Sequence, residues 1–192
     1  MPPKEAANSL RYDDWLFLSL IAPKKRDLLF LWDPSRNHYR DGIPGLGDNF
    51  QDLATSVQTI ISHFGYRQII GFGTSAGALP AVCAGIVNRW DSVVAVGTEN
   101  PQLQKHLLHP MHFLPKVGRR GTDEVLGKKQ RIRLYYSEFH HSDPQSASDV
   151  AKLTKGEPRV IKGYKTHTSL WEAREKGDLP RLFREFFGER DS

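Results

Sequence analysis

Gln68-Ile69-Ile70-Gly71-Phe72-Gly73-Thr74-Ser75-Ala76-Gly77-Ala78-Leu79-Pro80-Ala81-Val82 passes from a β-branched apolar run to a helix-forming run through a turn, with a glycine two residues before Ser75 and another two after it. A G-x-S-x-G turn in that setting suits a nucleophile elbow. The chain must reverse sharply between strand and helix, and small residues at both flanks, here Gly73 and Gly77, let the backbones pass. Residues 67–72 read as the strand and 76–88 as the helix. Pro80 sits early in that helix, where its ring and missing N–H disturb the bond back to Ala76, so a kink is expected.

Upstream of this stretch, Phe50, Leu53, Val57, Ile60, Ile61 and Phe64 recur at three- and four-residue steps. Asp48 or Asn49 can cap the start of this helix and Gly65 can end it. Farther back, apolar runs at 15–22 and 28–32 flank Pro23-Lys24-Lys25-Arg26-Asp27 and read as two strands joined by a polar turn. Downstream, strands are expected at 92–96, 131–136 and 159–163, and a helix at 146–154. A final helical stretch starts at Ser169 and breaks at Gly177-Asp178, with Leu182, Phe183, Phe186 and Phe187 on its apolar face. Residues 98–130 show no clean period and carry Pro101, Pro110 and Pro115. They read as an excursion with one short helix near Leu103–Leu108, serving as a small lid. Strand-helix alternation with short connections predicts a single α/β domain over 1–192: a mainly parallel, doubly wound sheet with helices on both faces.

At 192 residues, 39% hydrophobic and 26% charged, the chain is large enough to bury a core. A lone Cys83 allows no intrachain disulfide and reads as a buried structural thiol. No basic leader followed by an apolar run opens the sequence, and no apolar run approaches the roughly 20 residues that cross a bilayer, so a cytoplasmic protein is expected. The net charge of +5 gathers partly at Lys116, Arg119, Arg120, Lys128, Lys129, Arg131 and Arg133. Asp123 and Glu124 interrupt the cluster and no aromatic interleaving accompanies it, so it reads as a solvated loop rather than a nucleic-acid surface, though it could orient an anionic substrate. No Walker loop is present, and Gly71-x-Gly73 fits a dinucleotide fingerprint only loosely.

A serine hydroxyl needs an imidazole within hydrogen-bond reach and an acid to hold that imidazole in the right tautomer. His167 follows the strand at 159–163 through Tyr164-Lys165-Thr166 and therefore lies at the same sheet edge as the elbow. The acid belongs on the loop after 131–136, which offers Glu138 and Asp143. Asp143 is the choice, since Asp143-Pro144 sets a carboxylate at a loop tip before Ser146 opens the next helix, and Glu138 is the alternative. The Ala76 N–H is one oxyanion donor. The second is sought in Asp33-Pro34-Ser35-Arg36-Asn37-His38-Tyr39. Pro34 has no N–H, so Asp33 or Ser35 supplies it, or a side chain of Arg36, Asn37 or Tyr39 does. His140 and His141 are adjacent and read as diverging. His106, His109 and His112 recur every three residues, but Pro110 breaks their helix and no carboxylate or cysteine set supports them, so no metal and no cofactor is expected.

The elbow, the order Ser75, Asp143, His167 and the helix before the elbow together resemble the α/β-hydrolase superfamily over about residues 15–187. Tyr39-Arg40-Asp41-Gly42-Ile43-Pro44-Gly45-Leu46-Gly47 leading into 65–77 looks like small hydrolase-like domains associated with surface-glycan and accessory-secretion proteins. The resemblance implies a serine hydrolase of compact α/β-hydrolase fold cleaving an ester or acyl group through an acyl-enzyme. It also allows an O-acyltransferase or deacetylase acting on a glycan, or a non-catalytic hydrolase-like binding domain. The implied substrate is a small-molecule or glycan ester. The chain is short for the superfamily, which leaves the pocket shallow or completed by a partner domain or a second copy.

Overall fold

A computed structural model describes residues 27–107 and 130–187. These fall into two compact units, 32–172 and 27–31 with 173–187. The strand expected at 15–22, most of the lid at 98–130, His109, His112 and five of the seven basic residues at 116–133 lie outside the described residues.

Among the described residues, the larger unit carries a sheet of four parallel strands in the order β1 (Ile70–Thr74), β2 (Ser92–Val96), β3 (Arg131–Ser137), β4 (Glu157–Ile161). Register pairs Thr74 with Val96, Val96 with Tyr135, and Ser137 with Ile161, so the carboxyl ends of all four strands share one edge. β2 is buried at every position, as a central strand covered on both faces must be. The helices joining the strands are α2 (Ala78–Val87), between β1 and β2, and α3 (Asp143–Thr154), between β3 and β4. Strands that advance in one direction through right-handed crossovers place their helices on one face, and α2 touches α3.

Helix α1 (Phe50–Phe64) begins where Asn49 accepts the Asp52 N–H and ends at Gly65 in the left-handed region, as its spacing and caps predict. Its buried residues Phe50, Leu53, Ala54 and Val57 form one face. Asn88 Nδ2 donates to the Ala54 carbonyl at 2.9 Å and fastens α1 beside the end of α2.

Three expectations shift. Residues 28–32 form no strand, and Leu29, Phe30 and Trp32 are about half exposed. An apolar run makes a ladder only where a neighbouring strand pairs with it, and apolarity by itself does not supply that pairing. A 3-10 turn, Ser75–Gly77, precedes α2, which therefore starts at Ala78. Pro80 then falls in the first turn, where an N–H has no intrahelical acceptor, and the expected kink loses its cause. Finally, α3 starts at Asp143 rather than Ser146, with Pro144 in the first turn.

Helix α4 (Ser169–Glu175) follows the segment that carries His167. Gly177 closes it with φ +72°, and the Asp178 carbonyl accepts from Arg181 and Leu182 to open α5 (Leu179–Phe187). Phe183, Phe186 and Phe187 cluster along α5 with ring centroids 5.6–6.4 Å apart.

Candidate active site

Ser75 leaves β1 with φ +48°, in a region a β-carbon disfavours, at the turn that joins strand to helix. The turn closes because residue 73 has no side chain: a Cβ there would lie 2.2 Å from the Gly77 oxygen and 2.8 Å from the Ala81 Cβ. The need for small residues is one-sided, since a Cβ on Gly77 would meet nothing within 4 Å. It is the Gly77 backbone, rather than room for a side chain at 77, that crowds residue 73.

β4 is three strands away from β1, about 14 Å at ordinary strand spacing. The segment after β4 must cross the strand ends to reach Ser75. Ser137, the last residue of β3, donates its hydroxyl to the Thr166 carbonyl at 2.6 Å. The Glu172 carboxylate accepts from the N–H groups of Lys165 and Thr166 at 2.9 and 3.2 Å. Gly97, just past β2, lies so close to the His167 backbone that a Cβ would come within 2.8 Å of its oxygen. Gly97 also has φ +61°, so it combines close approach with a backbone turn that favours glycine. Gly97, Ser137 and Glu172 escaped the sequence reading because their role is to guide a loop rather than to do chemistry.

The route ends with His167 Nε2 3.0 Å from Ser75 Oγ. On the other side of the ring, His167 Nδ1 lies 2.7 Å from Asp143 Oδ1. A carboxylate facing Nδ1 keeps the proton there, which leaves Nε2 a lone pair directed at the serine hydroxyl. The hydrogen bond to Asp143 raises the pKa of His167, partial burial opposes the rise, and the charges of Asp143 and Glu99 add to it. Asp143 is 1% exposed and sits in the first turn of α3, where helix N–H dipoles favour an anion.

Glu138 is not at the imidazole. Its carboxylate accepts the Gly163 N–H at 2.8 Å and is exposed at the turn after β4. Ser35 is also committed elsewhere. Its N–H donates to Asp33 Oδ1 at 2.9 Å, while Asp33 Oδ2 accepts from Asn37 and Tyr39 at 2.8 Å each, so in this conformation the Ser35 N–H is not offered to an oxyanion. Asp33 thus gathers a loop in which Arg36, His38 and Tyr39 all hold positive φ. Burial, then the Asp33 charge, pushes the Tyr39 hydroxyl up to about 12. The Ala76 residue is exposed on the turn beside Ser75.

His140, which the sequence does not connect to Asp143, places Nδ1 2.7 Å from the same Asp143 Oδ1. Its ring is 5.5 Å from that of His167 and 4.7 Å from that of His141, so the adjacent histidines do not simply diverge. Glu99 bonds His38 Nε2 and Gln104 Nε2, both at 2.9 Å, and with Asp143 and His167 it lines a cavity of about 340 Å³. His106 Nε2 contacts the His38 carbonyl at 3.2 Å. Cys83 is fully buried, and burial pushes its thiol up to about 12, which leaves it without thiolate character. Among the described residues, no helix is long and apolar enough to cross a membrane.

No protein-family model and no curated protein sequence matches the chain. Among solved structures, the chain is similar to that of BpoC from Mycobacterium tuberculosis, described as a candidate non-heme bromoperoxidase. The two share 14% identity over 72% of this chain and 73% of that one, with a TM-score of 0.45.

Proposed function

We propose that the protein is a serine hydrolase of compact α/β-hydrolase fold that cleaves an ester or acyl group. The observation that carries this reading is the continuous chain from Ser75 Oγ to His167 Nε2 at 3.0 Å and from His167 Nδ1 to Asp143 Oδ1 at 2.7 Å, starting from a serine at positive φ. A structural serine needs neither the backbone strain nor an imidazole already oriented by a buried acid.

In the proposed reaction His167 Nε2 takes the Ser75 proton as Oγ bonds the carbonyl carbon. Asp143 stabilises the imidazolium without itself taking the proton. The Ala76 N–H stabilises the oxyanion. The intermediate collapses with cleavage of the carbonyl-to-alkoxy bond, and the departing alcohol takes the proton from His167. Water then attacks the Ser75 ester, gives its proton to the same nitrogen, and the free acid leaves as Ser75 Oγ is reprotonated. Transfer to a sugar hydroxyl replaces water in the second half and uses the same residues.

A fluorophosphonate probe tests the reading. Wild type is expected to carry one adduct, located at Ser75 by mass spectrometry, and Ser75→Ala and His167→Ala are each expected to abolish it. A folded wild type that never labels overturns the proposal in favour of a non-catalytic binding domain, a reading supported by the commitment of the Ser35 N–H to Asp33.

A further inference from the structure

We propose that His140, Asp143 and His167 form a divalent-cation site of the zinc class, and that its occupation switches off the Ser75 centre. The second half of the proposal rests on the hydrolase reading above. The first half does not.

Two imidazole nitrogens converge on one carboxylate: His140 Nδ1 and His167 Nδ1 each lie 2.7 Å from Asp143 Oδ1, and the three ligand atoms all fall within 4.8 Å of one another. The hydrogen bonding of this cluster is lopsided. Buried His140 Nδ1 has the right distance to the carboxylate but no hydrogen bond, and buried Asp143 Oδ2 has no partner among the described residues. A buried carboxylate oxygen and a buried ring nitrogen left unsatisfied side by side are costly in an apolar setting, and a cation satisfies both. Two imidazoles with one carboxylate are a donor set suited to zinc, which leaves a fourth position for water. Ligands around zinc stand about 3.3 Å apart, so the 2.7 Å contacts need to open by roughly 0.6 Å. Asp143 and His167 both line the 340 Å³ cavity, which places the proposed site at its wall.

The consequence for Ser75 follows from tautomers. A cation binds the Nδ1 lone pair, so a neutral His167 ring held that way must carry its one proton on Nε2. The proton that Nδ1 otherwise shares with Asp143 moves to Nε2, and no proton is lost from a neutral ring. Nε2 then donates toward Ser75 Oγ and has no lone pair with which to accept the serine proton. The same side chain therefore serves either as base or as ligand.

The test has two readouts on purified, chelator-treated full-length protein. In the first, Co²⁺ is titrated as a spectroscopic stand-in for zinc. Wild type is expected to develop the intense visible bands of a low-coordinate site at one equivalent and to lose them when Zn²⁺ is added. His140→Ala and Asp143→Asn are expected to lose the bands and His141→Ala to keep them. A wild-type spectrum no different from aqueous cobalt, or bands that survive in His140→Ala, overturns the site. In the second, fluorophosphonate labelling of each protein is compared with and without Zn²⁺. The expected result is at least a tenfold suppression in wild type and His141→Ala, and a ratio near one in His140→Ala. Cobalt bands without suppression in a labelling wild type overturn the switch. If wild type never labels, the hydrolase reading fails and the switch with it, while the cobalt spectrum still decides the cation site.

Discussion

Gly73 presses on Gly77 so closely that a Cβ on Gly73 would come within 2.2 Å of the Gly77 oxygen, while a Cβ on Gly77 would meet nothing within 4 Å. The two glycines flank Ser75 symmetrically in sequence and asymmetrically in space. Gly73→Ala is expected to destabilise by about 1–3 kcal/mol or more, because backbone cannot move aside as a flexible side chain does. Gly77→Ala, at φ −88° and ψ −9°, is expected to be neutral or to stabilise by about 0.4–1 kcal/mol by restricting the unfolded chain. Urea unfolding of the two variants checks the contrast, and equal losses would refute it.

Ser75→Gly separates stability from reactivity. Glycine relieves the cost of φ +48°, so the variant is expected to unfold about 1 kcal/mol later than Ser75→Ala while, like it, taking no fluorophosphonate. Calorimetry showing Ser75→Gly to be the less stable of the two would mean that the turn stores no strain.

Asp143→Asn keeps the shape of the acid but no longer fixes the proton on Nδ1. The labelling rate is expected to fall by about 10³–10⁴-fold, with circular dichroism unchanged. Glu138→Gln, which removes charge from a carboxylate that accepts the Gly163 N–H at the turn after β4, is expected to leave the rate within about twofold. A larger loss in Glu138→Gln than in Asp143→Asn would reverse the assignment of the acid.

The pH dependence of labelling, measured in chelator, follows from His167. Nε2 accepts the serine proton only when the ring is neutral, so labelling is expected to be low below the His167 pKa and to rise through it. Since the hydrogen bond to Asp143 raises that pKa, the midpoint is expected above the ordinary histidine value of about 6.5. In Asp143→Asn the midpoint is expected to move down as the rate falls. A midpoint that rises in that variant would contradict the assigned cause.

What could be read from the residues alone divides along a physical line. Local patterns were legible: the 3–4 spacing of Phe50 to Phe64 with Asn49 and Gly65 at its ends specifies α1 without help from the rest of the chain. Chemistry-bearing types at strand ends were legible too, and Ser75, Asp143 and His167 do meet. Asp143-Pro144 signals both a loop tip and a helix start, and only the docking of α3 against β3 and β4 makes it the latter. His140, Gly97 and Glu99 were not legible as site residues, since their places depend on how loops cross the strand ends. The apolar run at 28–32 looked like a strand because hydrophobicity alone carries no information about a pairing partner.

The order of the strands in the sheet is also the order of the strands in the chain, and Ser75 follows the first while His167, 92 residues later, follows the last. On the hydrolase reading proposed above, a chain in which β1 and β2 pair before the segment carrying His167 is in place is expected to present a serine without its base. On that reading reactivity is a mark of completed folding, because the hydroxyl is expected to sharpen only when the segment carrying His167 has been laid across Ser137 and Gly97. In a refolding experiment the ability to take the probe should trail the appearance of the sheet, and a nascent or nicked chain should carry a blunt serine.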